Sequence, residues 1–166
     1  MNIELLDIVD SNDTIIGTTD RKTAHSHGQL HRVAAVYVFN QMGELYVQEH
    51  TRDGKWDHSV GGHVSKGETY ALAASRETKE ELGITQSLVE LATSLSGDEH
   101  PNQKHLFGLY SCIADPSWKF VPNDEVKIIF PMSIASIRRA MIDEPESRFT
   151  PGFRITMAEY VRLNDL

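Results

Sequence analysis

The stretch GGHVSKGETYALAASRETKEELGI, residues 61–84, decides how this chain is to be read. Three glutamates, Glu77, Glu80 and Glu81, fall within five residues of it, with Arg76 beside them. On a helix, carboxylates three or four residues apart are neighbours, and each such pair destabilises the helix by about 0.2–0.5 kcal/mol. A hard divalent cation relieves that repulsion. Mg²⁺ and Mn²⁺ take carboxylate oxygens and keep positions open for water and phosphate oxygens. Helix signals frame the acids: Thr69 is placed to cap an N-terminus, the pattern runs to about Leu82, and Gly83 suits the residue after the last turn. Ala71, Ser75, Thr78 and Leu82 are spaced to share one side, so small residues are expected to face a sheet and the acids to face away from it.

The rest of the chain sets limits on the partner. At 166 residues it fits a single domain over 1–166, and its 40% hydrophobic and 24% charged composition is that of an ordinary soluble protein. A formal charge of −8 argues against a nucleic acid polymer or an anionic membrane as partner, so an anionic small molecule would need a cation between it and the protein. No tract is long and apolar enough to cross a bilayer, and MNIELLDIVD lacks the basic start and apolar core of a secretory signal. A cytoplasmic location is expected. The single cysteine, Cys112, excludes an internal disulfide and sits in the apolar context of a core thiol.

Around the acidic helix the sequence alternates strands with turns. LLDIVD, the turn SNDT and IIGTT form a small β element, and RVAAVYVFN is apolar enough for a strand buried on both faces. It forms a hairpin with ELYVQEH through NQMG. TRDGKWDHSVGGHVSKGE reads as a loop around a short strand at DHSV; KHLFGLYSCIA and EVKIIFP read as later strands. Two helices close the chain, from about Ser133 to Asp143 and from about Thr150 to Leu163, with Ser133 and Thr150 as caps and Pro151 in a first-turn position. Strands on either side of a helix predict an α/β sandwich with a mixed sheet.

The spacing then carries a family resemblance. From Gly62, five residues lead to Glu68, seven more to Arg76, and then Glu77, Glu80, Glu81, Gly83 and Ile84 follow in the order of the complete Nudix box. This resemblance implies an α/β/α sandwich and a metal-dependent hydrolase that uses Mg²⁺ or Mn²⁺ to cleave a pyrophosphate in a nucleoside diphosphate derivative or related compound. It implies that Gly62 (through its carbonyl), Glu77, Glu80 and Glu81 hold the metal. Glu77, Glu80, Arg76 and Glu68 form the catalytic set, with Glu68 and Arg76 pairing across loop and helix. Glu77 or a later acid, Glu99, would be the general base. Thr78 stands where the family usually has an apolar residue, and a homodimer is a family-level expectation.

The likeness extends toward the branch that includes isopentenyl-diphosphate isomerase, through LLDIVDSNDTIIGTTDRKTAH, GELYVQ, WDHSVGGHVSKGE, NDEVKIIF and FTPGF. That isomerase uses a cysteine and a glutamate as acid and base. Gly61 stands where the cysteine would be, and KHLFGLY has no Glu-x-Glu pair. Hydrolysis is therefore preferred, with an isomerase-like enzyme or a non-catalytic nucleotide sensor as alternatives. His25, His31 and His63 lie roughly where the isomerase holds its metal. With the partner glutamates missing, His25 and His27 are expected in a surface loop and His31 and His63 in hydrogen bonds within the fold. Trp56 could stack on a base or pack beneath its loop. Arg52, Lys55 and Lys66 could meet phosphates, and Phe149, Phe153 and Arg154 could close the pocket. None of these identifies the substrate, which stays open among nucleoside diphosphates, nucleotide sugars, dinucleotides and isoprenoid pyrophosphates.

Overall fold

The computed structural model describes residues 4–51, 53–96, 104–124, 126–144 and 148–166. In chain order its elements are β1 (Leu5–Val9), β2 (Ile15–Asp20), α1 (Arg21–Ser26), β3 (His31–Phe39), β4 (Leu45–Glu49), β5 (Trp56–Asp57) and β6 (Val60–His63). There follow α2 (Tyr70–Leu82), β7 (Val89–Ser96), β8 (His105–Ile113), β9 (Ile128–Met132), α3 (Ile134–Asp143) and α4 (Pro151–Leu163).

The fold is organised around β3. It pairs in parallel with β8 along its whole length, from His31↔His105 to Phe39↔Ile113. That occupies one edge, so the other edge takes β1 at His31, β6 at Val33–Val36 and β4 at Phe39, all antiparallel. The sheet is mixed for this reason. Alternation along β3 separates two cores: Ala34, Val36 and Val38 pack with Ala73, Ala74 and Leu82 of α2, whereas Val33, Ala35, Tyr37 and Phe39 pack with Ile137 of α3 and Phe153 and Met157 of α4. One helix on one face and two on the other give the α/β/α sandwich. Polar groups that enter the second core are paired: Tyr37 Oη and His58 Nε2 both meet Thr156 Oγ1, at 2.8 and 2.7 Å, and Thr150 Oγ1 donates to Asp57 at 2.8 Å.

The caps agree with the sequence. Thr69, Ser133 and Thr150 each accept a first-turn N–H, Pro151 opens α4, and Gly83 ends α2 at φ +68°. The buried side of α2 does not. Ala71 and Ser75 are exposed, and the buried set is Ala73, Ala74, Thr78, Glu81 and Leu82. The helix is turned so that part of its acidic arc meets the sheet, and Glu81 is only 8% exposed. Thr78 is tolerated in this apolar layer because its hydroxyl donates to the Ala74 carbonyl within the helix.

Three features differ from the sequence reading. β7 was not expected, because TQSLVELATSLS has no clean alternation; its pairing with β8 slips twice and Ser94 sits at φ +54°. The short α1 is nucleated by Asp20, whose carboxylate takes both the N–H and the hydroxyl of Thr23. The strand placed at DHSV is instead two strands, β5 and β6, separated by His58 and Ser59. Among the described residues no helix is long and apolar enough to cross a membrane.

Gly152 tests how tightly α4 is seated. A Cβ there would lie 2.6 Å from Cζ of Phe107, itself buried in the second core. Gly152→Ala is expected to lower stability by about 1–3 kcal/mol, measured as a drop in the urea midpoint at constant slope.

Candidate active site

Arg76 gathers the acids. Its Nε and Nη2 donate to the two oxygens of Glu68 at 3.0 and 2.9 Å, and Nη2 also donates to the His63 carbonyl at 3.0 Å. Nη1 donates to Glu77 at 2.6 Å and to Glu80 at 3.3 Å. Every guanidinium donor thus has an acceptor, which an ammonium could not match. Glu68 also accepts the Ser65 N–H at 3.0 Å. Burial pushes the Glu68 carboxyl up, but Arg76 and that N–H together hold it below its ordinary value. The hydrogen bonds to Glu68, with those to Glu77, outweigh desolvation and raise Arg76 well above the usual guanidinium range.

The sheet approaches the helix at one point. A Cβ on Gly62 would fall 2.1 Å from the Glu77 carboxyl carbon, so with glycine here the Glu77 carboxylate lies directly on the β6 backbone, and a larger residue would displace it. Glu81 reaches in the same direction and accepts from Gln48 Nε2 of β4 at 3.0 Å. Glu80 is about half exposed, with its side chain at 53%. The structure therefore groups Gly62, Glu68, Arg76, Glu77 and Glu80, with Glu81 held from the β4 side. An all-oxygen set beside the Gly62 backbone fits Mg²⁺ or Mn²⁺ by the chemistry of its donors.

Residues absent from the sequence reading complete this region. Gln48 fixes Glu81, Asn123 Nδ2 donates to the Glu81 carbonyl at 2.7 Å, and Trp118 Nε1 donates to the Leu82 carbonyl at 2.9 Å. Trp118 also stacks edge-on against Tyr46. Nothing in the local sequence ties these residues to α2; they reach it through the β4 pairing and the 115–124 loop. Of the proposed recognition residues, Trp56 takes the packing option: it lies in the second core against Phe130 and Phe149, with the Arg148 guanidinium over its ring. Phe149 and Phe153 are buried in that same core, and Arg154 donates to the Glu144 carbonyl, so these three do not border the carboxylates. Lys66 is exposed. Arg52 and Glu99 lie outside the described residues.

The histidines require a correction. His25 is not in a surface loop: it is half-buried on α1, with its Nε2 3.0 Å from Nε2 of His63. His31, His63 and the unanticipated His105 complete a group whose four ligating atoms all lie within 4.8 Å of one another. Among the described residues this is the group of metal-ligating side chains whose donor atoms converge. His27, exposed on the C-cap of α1, is where the sequence put it, and His31 and His63 are hydrogen-bonded within the fold as expected, to the Gln29 carbonyl and to His25. Burial pulls the His31 imidazole down to about 4 and, with Arg21 and the other imidazoles adding to the effect, His63 down to about 2. Both rings are therefore neutral near pH 7.

With the box and fold in place, comparison with known proteins is direct: residues 29–153 match the NUDIX domain model. The chain belongs to the Nudix family. It is 31% identical over 159 residues to an isopentenyl-diphosphate Delta-isomerase of Pectobacterium atrosepticum, covering 91% of this chain and 88% of that protein. It is 34% identical over 117 residues to an uncharacterized Nudix hydrolase of Pseudomonas aeruginosa, covering 68% and 69%. Matches to the isomerases of Streptomyces span about half of those proteins, 52% of their length. The crystal structure of DR0079 from Deinococcus radiodurans superposes with a TM-score of 0.72 at 25% identity, covering 96% of this chain and 97% of that one.

Removing the guanidinium should loosen the whole cluster. Arg76→Ala leaves the largely buried Glu68 without its bidentate partner, and a loss of about 1–3 kcal/mol is expected in chemical denaturation. Arg76→Lys should recover only part of it, because one ammonium cannot serve both Glu68 oxygens and the His63 carbonyl.

Proposed function

We propose that this chain is a single-domain hydrolase, dependent on Mg²⁺ or Mn²⁺, that cleaves a pyrophosphate bond in a nucleoside diphosphate derivative or related small molecule. Water attacks phosphorus. The observation that carries the reading is the direct contact of the Gly62 backbone with Glu77, inside a set of carboxylates held together by Arg76. The Gly62 carbonyl, Glu77, Glu80 and Glu81 are the residues that would hold the cation. When bound there, it would neutralise phosphate charge and lower the pKa of a water. Arg76 keeps Glu77 and Glu80 on one side of α2, while Glu68 and the His63 carbonyl keep Arg76 in place. Gln48 orients Glu81 from β4. Glu77, pressed against β6, is positioned to accept a proton from the attacking water; Glu99 is the alternative base.

An isomerase reading finds little support despite the similarity to the Pectobacterium enzyme. Cys112 is buried on β8 opposite Val38, at the other end of the β3–β8 ladder from His31 and His105. Burial raises its thiol above the ordinary value, as for an inert core cysteine. Gly61 supplies no thiol on β6.

The test combines two variants with a substrate screen. Glu80→Gln and Glu81→Gln should keep the wild-type circular dichroism and melting behaviour yet lose turnover by about 100-fold or more. The screen offers nucleoside diphosphates, nucleotide sugars, dinucleotides and isopentenyl pyrophosphate with Mg²⁺ or Mn²⁺ in partly deuterated buffer, read by mass spectrometry. Release of a monophosphate is the expected result. Deuterium in intact isopentenyl pyrophosphate, or full activity in both variants, would sink the assignment.

A further inference from the structure

The histidine cluster has no role in that reaction, and four imidazoles in the interior need a physical reason. His31 begins β3 and His105 begins β8, paired directly across the parallel ladder; His63 ends β6 beside Val33, and His25 comes from α1. The ring centroids of His31 lie 4.9, 5.2 and 4.7 Å from those of His25, His63 and His105. The tautomer of His31 follows from its surroundings. Nδ1 lies 2.8 Å from the Gln29 carbonyl, which can only accept, so Nδ1 carries the proton and Nε2 of the neutral ring presents a lone pair. That Nε2 has no hydrogen-bond partner, in a residue of zero exposure. An acceptor buried without a donor is destabilising, and a cation removes the cost. His25 and His63 face each other Nε2 to Nε2 at 3.0 Å, a contact in which two lone pairs share one proton.

We propose that His25, His31, His63 and His105 form an all-nitrogen site for Zn²⁺ that fastens α1 to β3, β6 and β8 and is separate from the carboxylate site. The donor set selects the ion. Neutral imidazoles suit Zn²⁺ and later transition metals, whereas Mg²⁺ and Mn²⁺ prefer oxygen. Four protein ligands fill a tetrahedral shell, so the site is closed and structural, with no position left for a substrate or reacting water. Tetrahedral Zn–N bonds of about 2.0–2.1 Å place nitrogens roughly 3.3 Å apart, against a present spread of at most 4.8 Å. Access is provided by a surface depression of about 340 Å³ lined by Glu4, Asp20, Arg21, Lys22 and His25.

Strand alternation separates the two sites. Gly62 pairs with Ala34 and faces Glu77 and α2, while its neighbour His63 pairs with Val33 and belongs to the opposite face of the sheet. The shared link is the His63 carbonyl, which accepts from Arg76. The carboxylates and the imidazoles therefore offer separate donor sets to ions of different hardness.

The experiment uses the full chain. Metal content of protein purified without added metal is measured by mass spectrometry; stripped protein is then titrated with ZnCl₂ against a chromophoric chelator and with CoCl₂ in the visible range. The expected result is about one Zn²⁺ per chain, a melting temperature that rises with ZnCl₂, and the intense absorption of tetrahedral Co²⁺. His31→Asn and His105→Asn, checked for native circular dichroism, should weaken Zn²⁺ binding by at least about 100-fold, more than the loss of a residue that merely orients a ligand. Glu80→Gln and Glu81→Gln should bind Zn²⁺ as the wild type does, which separates this site from the hydrolase assignment. Binding to folded wild type weaker than about 1 μM, weak octahedral cobalt bands, or zinc lost in the glutamate variants and kept in the histidine ones would overturn it.

Discussion

The structure depends on β3 being enclosed on every side. Its two edges are hydrogen-bonded, one to β8 throughout and the other to β1, β6 and β4 in turn, and both faces are packed by helices. A strand so placed needs a near-continuous hydrophobic run, which is what VAAVYVF, residues 33–39, supplies. Its small residues Ala34 and Ala35 lie where β6 pairs, so they keep the sheet thin opposite Gly62 and Gly61. There α2 comes close enough for Glu77 to rest on the backbone of β6. The fold and the candidate active site thus share one requirement: small side chains on two adjacent strands.

That close approach explains which parts of the sequence were readable. The box residues follow from local spacing, and the caps Thr69, Ser133 and Thr150 follow from side chains that satisfy N–H groups within one turn; both are short-range facts. The direction in which α2 faces is long-range. Small residues alone place an Ala71–Ser75 face toward the sheet, but the helix is oriented by its contact with Gly62 and by Gln48 drawing Glu81 inward from β4. β7 is not legible locally for the same reason, since its irregular strand is defined by its pairing with β8 and not by a period of its own.

The histidines make the point most sharply. His25, His31 and His63 could be named from the family likeness, yet without His105 they were three ligands lacking partners. Residues 31 and 105 are adjacent only because β3 and β8 run parallel in this particular register, and a shift of one residue would turn His105 to the opposite face. No local pattern encodes that register. What encodes it is the matched alternation of Val33, Ala35 and Tyr37 with Phe107 and Leu109 on the α4 face.

Arg76 shows how charge is managed at the junction. Three of its hydrogen bonds go to Glu68 and the His63 carbonyl, groups fixed by the loop and by β6, and the remaining two, from Nη1, go to Glu77 and Glu80. The first group determines where the guanidinium sits; the second determines which way the two carboxylates lean. Its position therefore does not depend on Glu77 or Glu80, and either acid can turn toward a cation or a water without displacing the arginine. A lysine in its place would have to choose between holding its position and holding the acids. The five donors let one residue do both, which keeps a helix bearing three acids folded while Glu77 is held against β6 and Glu80 reaches toward solvent.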